Sequence, residues 1–368
     1  MNMNTLKYNP CVIVFFLLYT LYSIKSGFFS LAIKNEFIFR IKDITNISII
    51  SMALFFSFLL SKNKTKIYLI VFNILSIIGL VYFHNKFYLG FLLTISMLTL
   101  TSKIKWEVIL KIIIFSNAIT ILFLCFSVYF SEYYFLEDDR FGRRFTAGFD
   151  NPNTLGQYIL MLFTVISLFL ELKVKNPSTR LIITTSIFII IFTILYLTYS
   201  RTSLILSSLF YITIIYSILL KKNNHFLPRI KLKYLILFSS LFFIFLQFYF
   251  IINFKENNFL YKINDILTSR LWFGNILYSS LGFPNLLIGT NIEKYFPIDF
   301  YFIQTIYSIG LIPFIFLYFL AIRNLFNTNI TSLMGYTLLI MLLETMTETY
   351  FSVPFYSIAL FIIFSKKI

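Results

Sequence analysis

Long apolar runs separated by short charged stretches occupy most of this sequence from Pro10 to Phe364. About 20 apolar residues of helix cross the hydrocarbon core of a bilayer. Runs near that length are read as helices at 11–33, 44–60, 67–83, 87–101, 108–130, 154–172, 181–199, 202–220, 234–253, 299–322, 330–343 and 350–364. The predicted fold is all-α, a polytopic membrane helix bundle of about 12 transmembrane helices, because in lipid every peptide group must be paired within its own segment. The whole chain, 1–368, is expected to form a single integral membrane domain. The fourth run and the last two are short for a crossing and are expected to be tilted, interior or re-entrant. After the first run come Lys25, Ser26, Gly27 and more apolar residues rather than a small-residue cleavage site, so it reads as a retained signal anchor.

Composition agrees with this reading: 59% of residues are hydrophobic and 12% charged, against roughly 25% charged in soluble domains. An ordinary soluble enzyme is thereby excluded. Eleven Gly and eight Pro leave no glycine-rich nucleotide loop. Cys11 and Cys125 lie inside apolar runs, and His84 and His225 are far apart, so neither a disulfide framework nor a zinc site is expected. No metal or cofactor is predicted.

Loop charge sets the expected orientation. With the N-terminus cytoplasmic, one side gathers Lys7, Lys62, Lys64, Lys66, Lys103, Lys105, Lys111, Lys173, Lys175, Arg180, Lys221, Lys222, Arg229, Lys231, Lys233, Arg323, Lys366 and Lys367. That side holds 18 of the 31 basic residues but only Glu107 and Glu171 of the 15 acidic ones. The other side holds 13 of each, so the whole net charge of +16 sits on the face assigned to the cytoplasm. Both termini are expected there. The excess is accounted for by topology and anionic lipid, and no nucleic-acid partner is expected.

Two external loops, 131–153 and 253–298, are long enough to carry chemistry. The first packs Glu132, Glu137, Asp138 and Asp139 beside Arg140, Arg143 and Arg144. Arginine carries a permanent charge and a fixed fork of donors that matches phosphate oxygens, so the cluster reads as an anion clamp. A self-neutralising salt-bridge cluster on a wet loop is the simpler alternative. Further on, Gly148, Asn151, Pro152 and Asn153 read as a turn opening the next helix, with Asn153 as its N-cap. Arg201 sits at the outer boundary between the seventh and eighth spans, facing a cavity or snorkelling to headgroups.

The second loop supplies Arg270, Glu293 and Asp299. Arg270 opens an amphipathic interfacial helix that carries Leu271, Trp272, Ile276 and Leu277. Asp299 falls in the first turn of the tenth span, where the helix dipole favours an acid. Glu344 and Glu348 lie four residues apart near the outer ends of the last helices; they are candidates for a carboxylate in the cavity, although a solvated loop is the simpler reading.

Several of these segments, taken together, resemble a known family. "RRFTAGFDNPNTLGQYI" is similar to the Arg–Gly–Phe–Asn–Pro–Asn segment of the O-antigen polymerase and ligase superfamily, and "LTYSRTSLI" to its Thr–x–Ser–Arg segment. "SRLWFGNIL", a later Gly and "DFYFIQTIYSIGLI" resemble its second external loop and the helix that follows. The match runs from about Arg140 to Ile312, a little under half the chain. It implies a GT-C-like bundle and glycosyl transfer on the outer face of a bacterial plasma membrane, with undecaprenyl-diphosphate-linked oligosaccharides as donors. The implied product is an O-antigen or a capsule, and the implied partners include membrane lipid, a flippase and a chain-length regulator. Ligases of the superfamily carry a His where this chain has Asp299, which favours the polymerase branch over a ligase.

In such a transfer the leaving group is a lipid diphosphate. An arginine about 4 Å from a phosphate oxygen contributes on the order of 4 kcal/mol at an effective dielectric of 20, before desolvation. The expected diphosphate ligands are Arg144, Arg201 and Arg270, with Arg143 beside them. The expected general base is Asp299, followed by Glu348 and Asp139. A flippase or transporter is the rival of another class; it should show internal repeats and charges at mid-membrane depth.

Overall fold

The computed structural model describes residues 9–33, 36–139, 142–220 and 229–366; Lys7, Arg140, Lys221, Lys222, His225 and Lys367 of the sequence reading lie outside these. The structure is 77% helical. Fifteen α-helices are described, beginning with α1 (Pro10–Phe28), α2 (Glu36–Leu60), α3 (Asn63–Phe83), α4 (Phe87–Thr101) and α5 (Trp106–Ser127). A two-stranded hairpin follows, β1 (Phe135–Asp138) against β2 (Gly142–Phe145). The chain then forms α6 (Pro152–Lys173), α7 (Pro177–Thr198), α8 (Arg201–Leu220), α9 (Arg229–Asn253), α10 (Asn258–Ile266) and α11 (Arg270–Leu281). The last four are α12 (Tyr301–Ile309), α13 (Leu311–Asn327), α14 (Ser332–Glu344) and α15 (Ala359–Phe364). Among the described residues, eight helices are long and apolar enough to cross a membrane, and α4, α13 and α14 are shorter apolar helices.

Three helices start with the same device. Asn9, Asn151 and Asn176 each accept the amide hydrogen two residues on, at 3.0, 2.8 and 3.0 Å, and each precedes a proline at the first helical position. The side chain satisfies one orphan amide, and proline has none to satisfy at a position its φ already suits. The N-cap of α6 is therefore Asn151, not Asn153 as the sequence reading had it.

The expected helical bundle is present, and the two-stranded hairpin is an addition to it; Gly142, which opens β2, has φ +68°. The single span expected at 299–322 is two helices, broken at Gly310 with φ +92°. The last expected span, 350–364, is a 3₁₀ turn at Tyr350–Ser352, irregular chain and the six-residue α15. Both described ends of the chain meet the α4–α5 turn, through Asn9 Nδ2 to Lys103 O at 3.5 Å and Lys366 N to Ile104 O at 2.9 Å.

One large core runs through the bundle, and a smaller one joins the C-terminal end of α9 to α10, α11 and α12. In that smaller core Leu271 and Leu277 are fully buried, so α11 packs on α9; Trp272 alone of the quartet is exposed. Asn275 Nδ2 donates to Ile251 O at 2.7 Å and fixes that contact.

The irregular stretch after α11 docks against the α12–α13 break. Asn285 O and Leu286 O accept from Leu311 N and Ile312 N at 2.9 and 2.8 Å, which satisfies the first amides of α13. Gly289 lies so close to Ser308 that a β-carbon there would overlap its backbone carbonyl. We expect Gly289→Ala to destabilise the protein by about 1–3 kcal/mol through overpacking. Gly90→Ala, where a β-carbon meets nothing within 4 Å, is the control. Thermal unfolding in detergent should show a lowered midpoint for the first variant only.

Candidate functional site

Between the hairpin, the starts of α6 and α8, the α10–α11 turn and the end of α14 lies a cavity of about 770 Å³. Arg144, Arg201, Arg270, Asp138 and Asp139 all line it. The three arginines come from segments well apart in the chain, so the placement of each has a separate local cause.

Arg144 is on β2, where it pairs in register with Leu136 while Arg143 pairs with Glu137. Neighbouring strand residues face opposite ways. Arg144 is 7% exposed and faces the cavity; Arg143 is exposed, with its guanidinium carbon 4.1 Å from the Phe135 ring centroid. Arg143, expected beside the others, is not part of the cavity wall. It makes a cation–π contact instead. The Arg144 fork donates through Nε to Thr198 O at 3.0 Å, through Nη1 to Asp138 Oδ2 at 3.1 Å and through Nη2 to Asn153 Oδ1 at 2.8 Å. Asn153, free of capping duty, thus helps aim the guanidinium. The bond to Thr198 places a cation on the C-terminal carbonyls of α7, where the dipole favours it.

Arg201 is the first residue of α8, separated from the end of α7 by Tyr199 and Ser200 alone. Tyr199, at φ 51°, makes that sharp reversal. Arg270 is preceded by two more left-handed residues, Thr268 at φ 53° and Ser269 at φ 66°. Non-glycine residues in this region carry about 1–3 kcal/mol of strain each, and such strain concentrates at binding and catalytic sites. Here it immediately precedes two of the three cavity arginines.

Arg270 is spent on protein partners. Nε donates to Asp299 Oδ2 at 2.8 Å, Nη2 to Glu348 Oε1 at 3.2 Å, and Nη1 to Thr268 Oγ1 at 3.0 Å. Asp299 therefore precedes α12 as an ion-pair partner, and its role in the first helical turn is corrected. The solvated-loop reading of Glu344 and Glu348 is overturned as well: they are 1% and 7% exposed. Glu344 Oε1 has no hydrogen-bond partner among the described residues. Asp299 and Glu348 themselves do not line the cavity but stand behind Arg270, which does. Asp139 is on the wall.

The balance of charge decides what the site can hold. Against three arginines stand Glu137, Asp138, Asp139, Asp299 and Glu348, so with every acid ionised the region is negative. Burial shifts that balance. It raises the Asp299 carboxyl above its usual range despite Arg270, and pushes Glu348 up to about 8, with Arg270 opposing and Asp299 adding to the rise. Both shifts favour the neutral form of an acid and so reduce the negative excess around Arg270.

Below the polar mouth the wall is apolar, formed on α8 by Ile205, Leu206 and Leu209 and on α14 by Leu343. The cavity pairs an arginine-bearing rim with a hydrocarbon wall. No family model, curated protein or solved structure matches the chain. Sequence reasoning named Asn153 for a different role, and its actual one has a signal, an Asn directly after an Asn–Pro cap. Glu344 has none beyond its i, i+4 spacing to Glu348.

The raised Glu348 carboxyl has a definite consequence for stability. A carboxyl whose folded pKa is raised stabilises the fold below its unfolded pKa, near 4.5, and that stability is lost as pH rises through the folded value of about 8. The melting temperature of the wild type relative to Glu348→Gln should therefore fall between about pH 5 and 8 and level off above. A pH-independent difference would show that Glu348 is ionised throughout.

Proposed function

We propose that this protein is a membrane glycosyltransferase, a polysaccharide repeat-unit polymerase that joins undecaprenyl-diphosphate-linked oligosaccharides on the outer face of a bacterial plasma membrane. The observation that carries the reading is the meeting of Arg144, Arg201 and Arg270 around one cavity whose inner wall is apolar. A diphosphate on a long isoprenoid needs both surfaces. In this reading α1–α9 make nine crossings, α13 returns, α14 rises and the chain through α15 descends, about 12 in a GT-C-like bundle with both termini cytoplasmic. The contacts of Asn9 and Lys366 with one α4–α5 turn support the last point.

The reaction follows from the residues. A sugar hydroxyl of the incoming unit attacks the anomeric carbon of the growing chain. The bond from that carbon to the diphosphate oxygen breaks, and the electron pair leaves with the lipid diphosphate. The hydroxyl proton passes to a carboxylate. Arg144 and Arg201 hold the departing charge, the kind of fixed electrostatic stabilisation that carries most of many rate enhancements. Arg270 adds its remaining donor and holds Asp299 and Glu348 in place. The base is one of these two or Asp139, each buried or at the cavity wall. A carboxyl raised toward neutral pH is matched to proton transfer there. Because the acids outnumber the arginines, the diphosphate displaces Asp138 from Arg144 or enters while Glu348 is protonated.

A second reading, a flippase or transporter, draws on two features: the helix interrupted at Gly310 and the deeply buried Glu344. A deletion strain separates the readings. Loss of a polymerase leaves single repeat units on the surface acceptor, and loss of a flippase leaves units trapped inside. The closely related ligase reading predicts long chains retained on the carrier lipid.

Complementation of that strain with Arg144→Ala, Arg201→Ala or Arg270→Ala should collapse the surface polysaccharide ladder to single units. Each variant should lose on the order of 10²–10³ in rate, as when one preorganised donor is removed. Arg143→Ala should keep the full ladder. A normal ladder from the Arg144 and Arg201 variants, with protein present in the membrane, contradicts the proposal.

A further inference from the structure

A second cavity, of about 320 Å³, lies between α4, α12, α13 and the segment that leads into α15. One face of α4 forms its long wall, through Phe87, Gly90, Phe91, Thr94, Ile95 and Leu98. That spacing is a single helical stripe. From Lys86 to Leu98 the stripe runs about 18 Å at 1.5 Å per residue, a little over half of the roughly 30 Å hydrocarbon core. The lining is almost wholly apolar. Lys86, at the start of α4, is exposed and has no ion-pair partner among the described residues.

The opposite wall connects this groove to the first site. It is formed by Phe351, Ser352, Val353 and Pro354, which begin three residues after Glu348. Thr94 Oγ1 donates to Ser352 O at 3.2 Å and Tyr19 to Pro354 O at 3.2 Å, while Val353 O accepts from Tyr356 N, so these three carbonyls are paired within the protein.

We propose that this groove holds the isoprenoid chain of a second lipid-diphosphate-linked substrate, with its diphosphate at Lys86. The inference rests on the polymerase reading, in which two lipid-linked molecules meet in each transfer. The apolar wall on α8 serves one chain, and the α4 groove serves the other. The charge at Lys86 complements a diphosphate, and the groove's length matches a chain lying in one leaflet. The irregular segment after Glu348 separates the two chains and carries a carboxylate between them.

Gly90 provides the test, because a β-carbon there meets nothing within 4 Å and a larger side chain grows into the groove. The full-length protein in phosphatidylglycerol nanodiscs is irradiated with a photoreactive polyprenyl diphosphate, and labelled peptides are mapped. The expected result is labelling of both α4 and α8 in the wild type. Gly90→Trp should lose at least tenfold of the α4 label, keep the α8 label and an unchanged melting temperature, and polymerise at least tenfold more slowly. Lys86→Ala should weaken α4 labelling severalfold. The proposal is overturned if Gly90→Trp keeps the α4 label, or if photoreactive phosphatidylglycerol labels α4 as well as the diphosphate does, which marks a bilayer-lipid site. A Gly90→Trp variant that folds and polymerises normally overturns it too, while leaving the polymerase reading intact. Strong α4 labelling by a wild-type protein that makes no polymer sinks the polymerase reading instead and leaves the groove as a polyprenyl site.

Discussion

A peptide group with no partner in hydrocarbon costs several kcal/mol, and the second half of this chain is built around that constraint. Beyond α11 the backbone is irregular at several points, and side chains on neighbouring helices pair what it exposes. Gln247 on α9 donates to Thr345 O at 2.7 Å and accepts from Phe302 N at 3.0 Å, which closes the end of α14 and the start of α12 together. Asn85 donates to Thr290 O and Ser308 O at 3.0 and 2.8 Å. The Tyr88 hydroxyl donates to Ile309 O at 3.2 Å and accepts from Gly289 N at 3.1 Å. These side chains let broken helices exist inside an apolar bundle.

The site depends on the same arrangement. Glu348 follows the interruption at the end of α14, Asp299 precedes α12, and Arg270 opens α11; the guanidinium joins all three segments. A uniform helix through either region would place these groups on a lipid-facing surface or spread them along one axis. Arg144 does the corresponding work at the other side of the cavity, binding the hairpin to the end of α7 and the start of α6. Both arginines therefore hold the structure and present charge, and their donors are largely occupied before any ligand arrives.

The long helices were legible because apolar length reports on single elements, while the Asn–Pro starts at Pro10, Pro152 and Pro177 emerged with the structure. The break at Gly310 was not, since hydropathy runs unchanged from Phe300 through Leu320 and a lone glycine is common in such helices. Gln247, Asn85 and Asn275 were given no role from the sequence, because their partners are backbone groups far away along the chain. In the first loop, charge alone could not separate Arg143 from Arg144; the strand register does so, by sending them to opposite faces. Glu344 and Glu348 were misplaced for a related reason. Acids near a helix end read as solvated until the fold shows the chain turning back inside the bundle.

The central claim is that separate guanidinium groups grip one phosphate-bearing headgroup, and a double-mutant cycle on ligand binding tests it most directly. The affinity of a polyprenyl diphosphate is measured for the wild type, Arg144→Ala, Arg201→Ala and the pair, in nanodiscs of neutral lipid. If both arginines hold the same diphosphate, the losses are strongly non-additive, with a coupling of about 0.5–3 kcal/mol. Additive losses, or an affinity that neither substitution changes, would contradict the account.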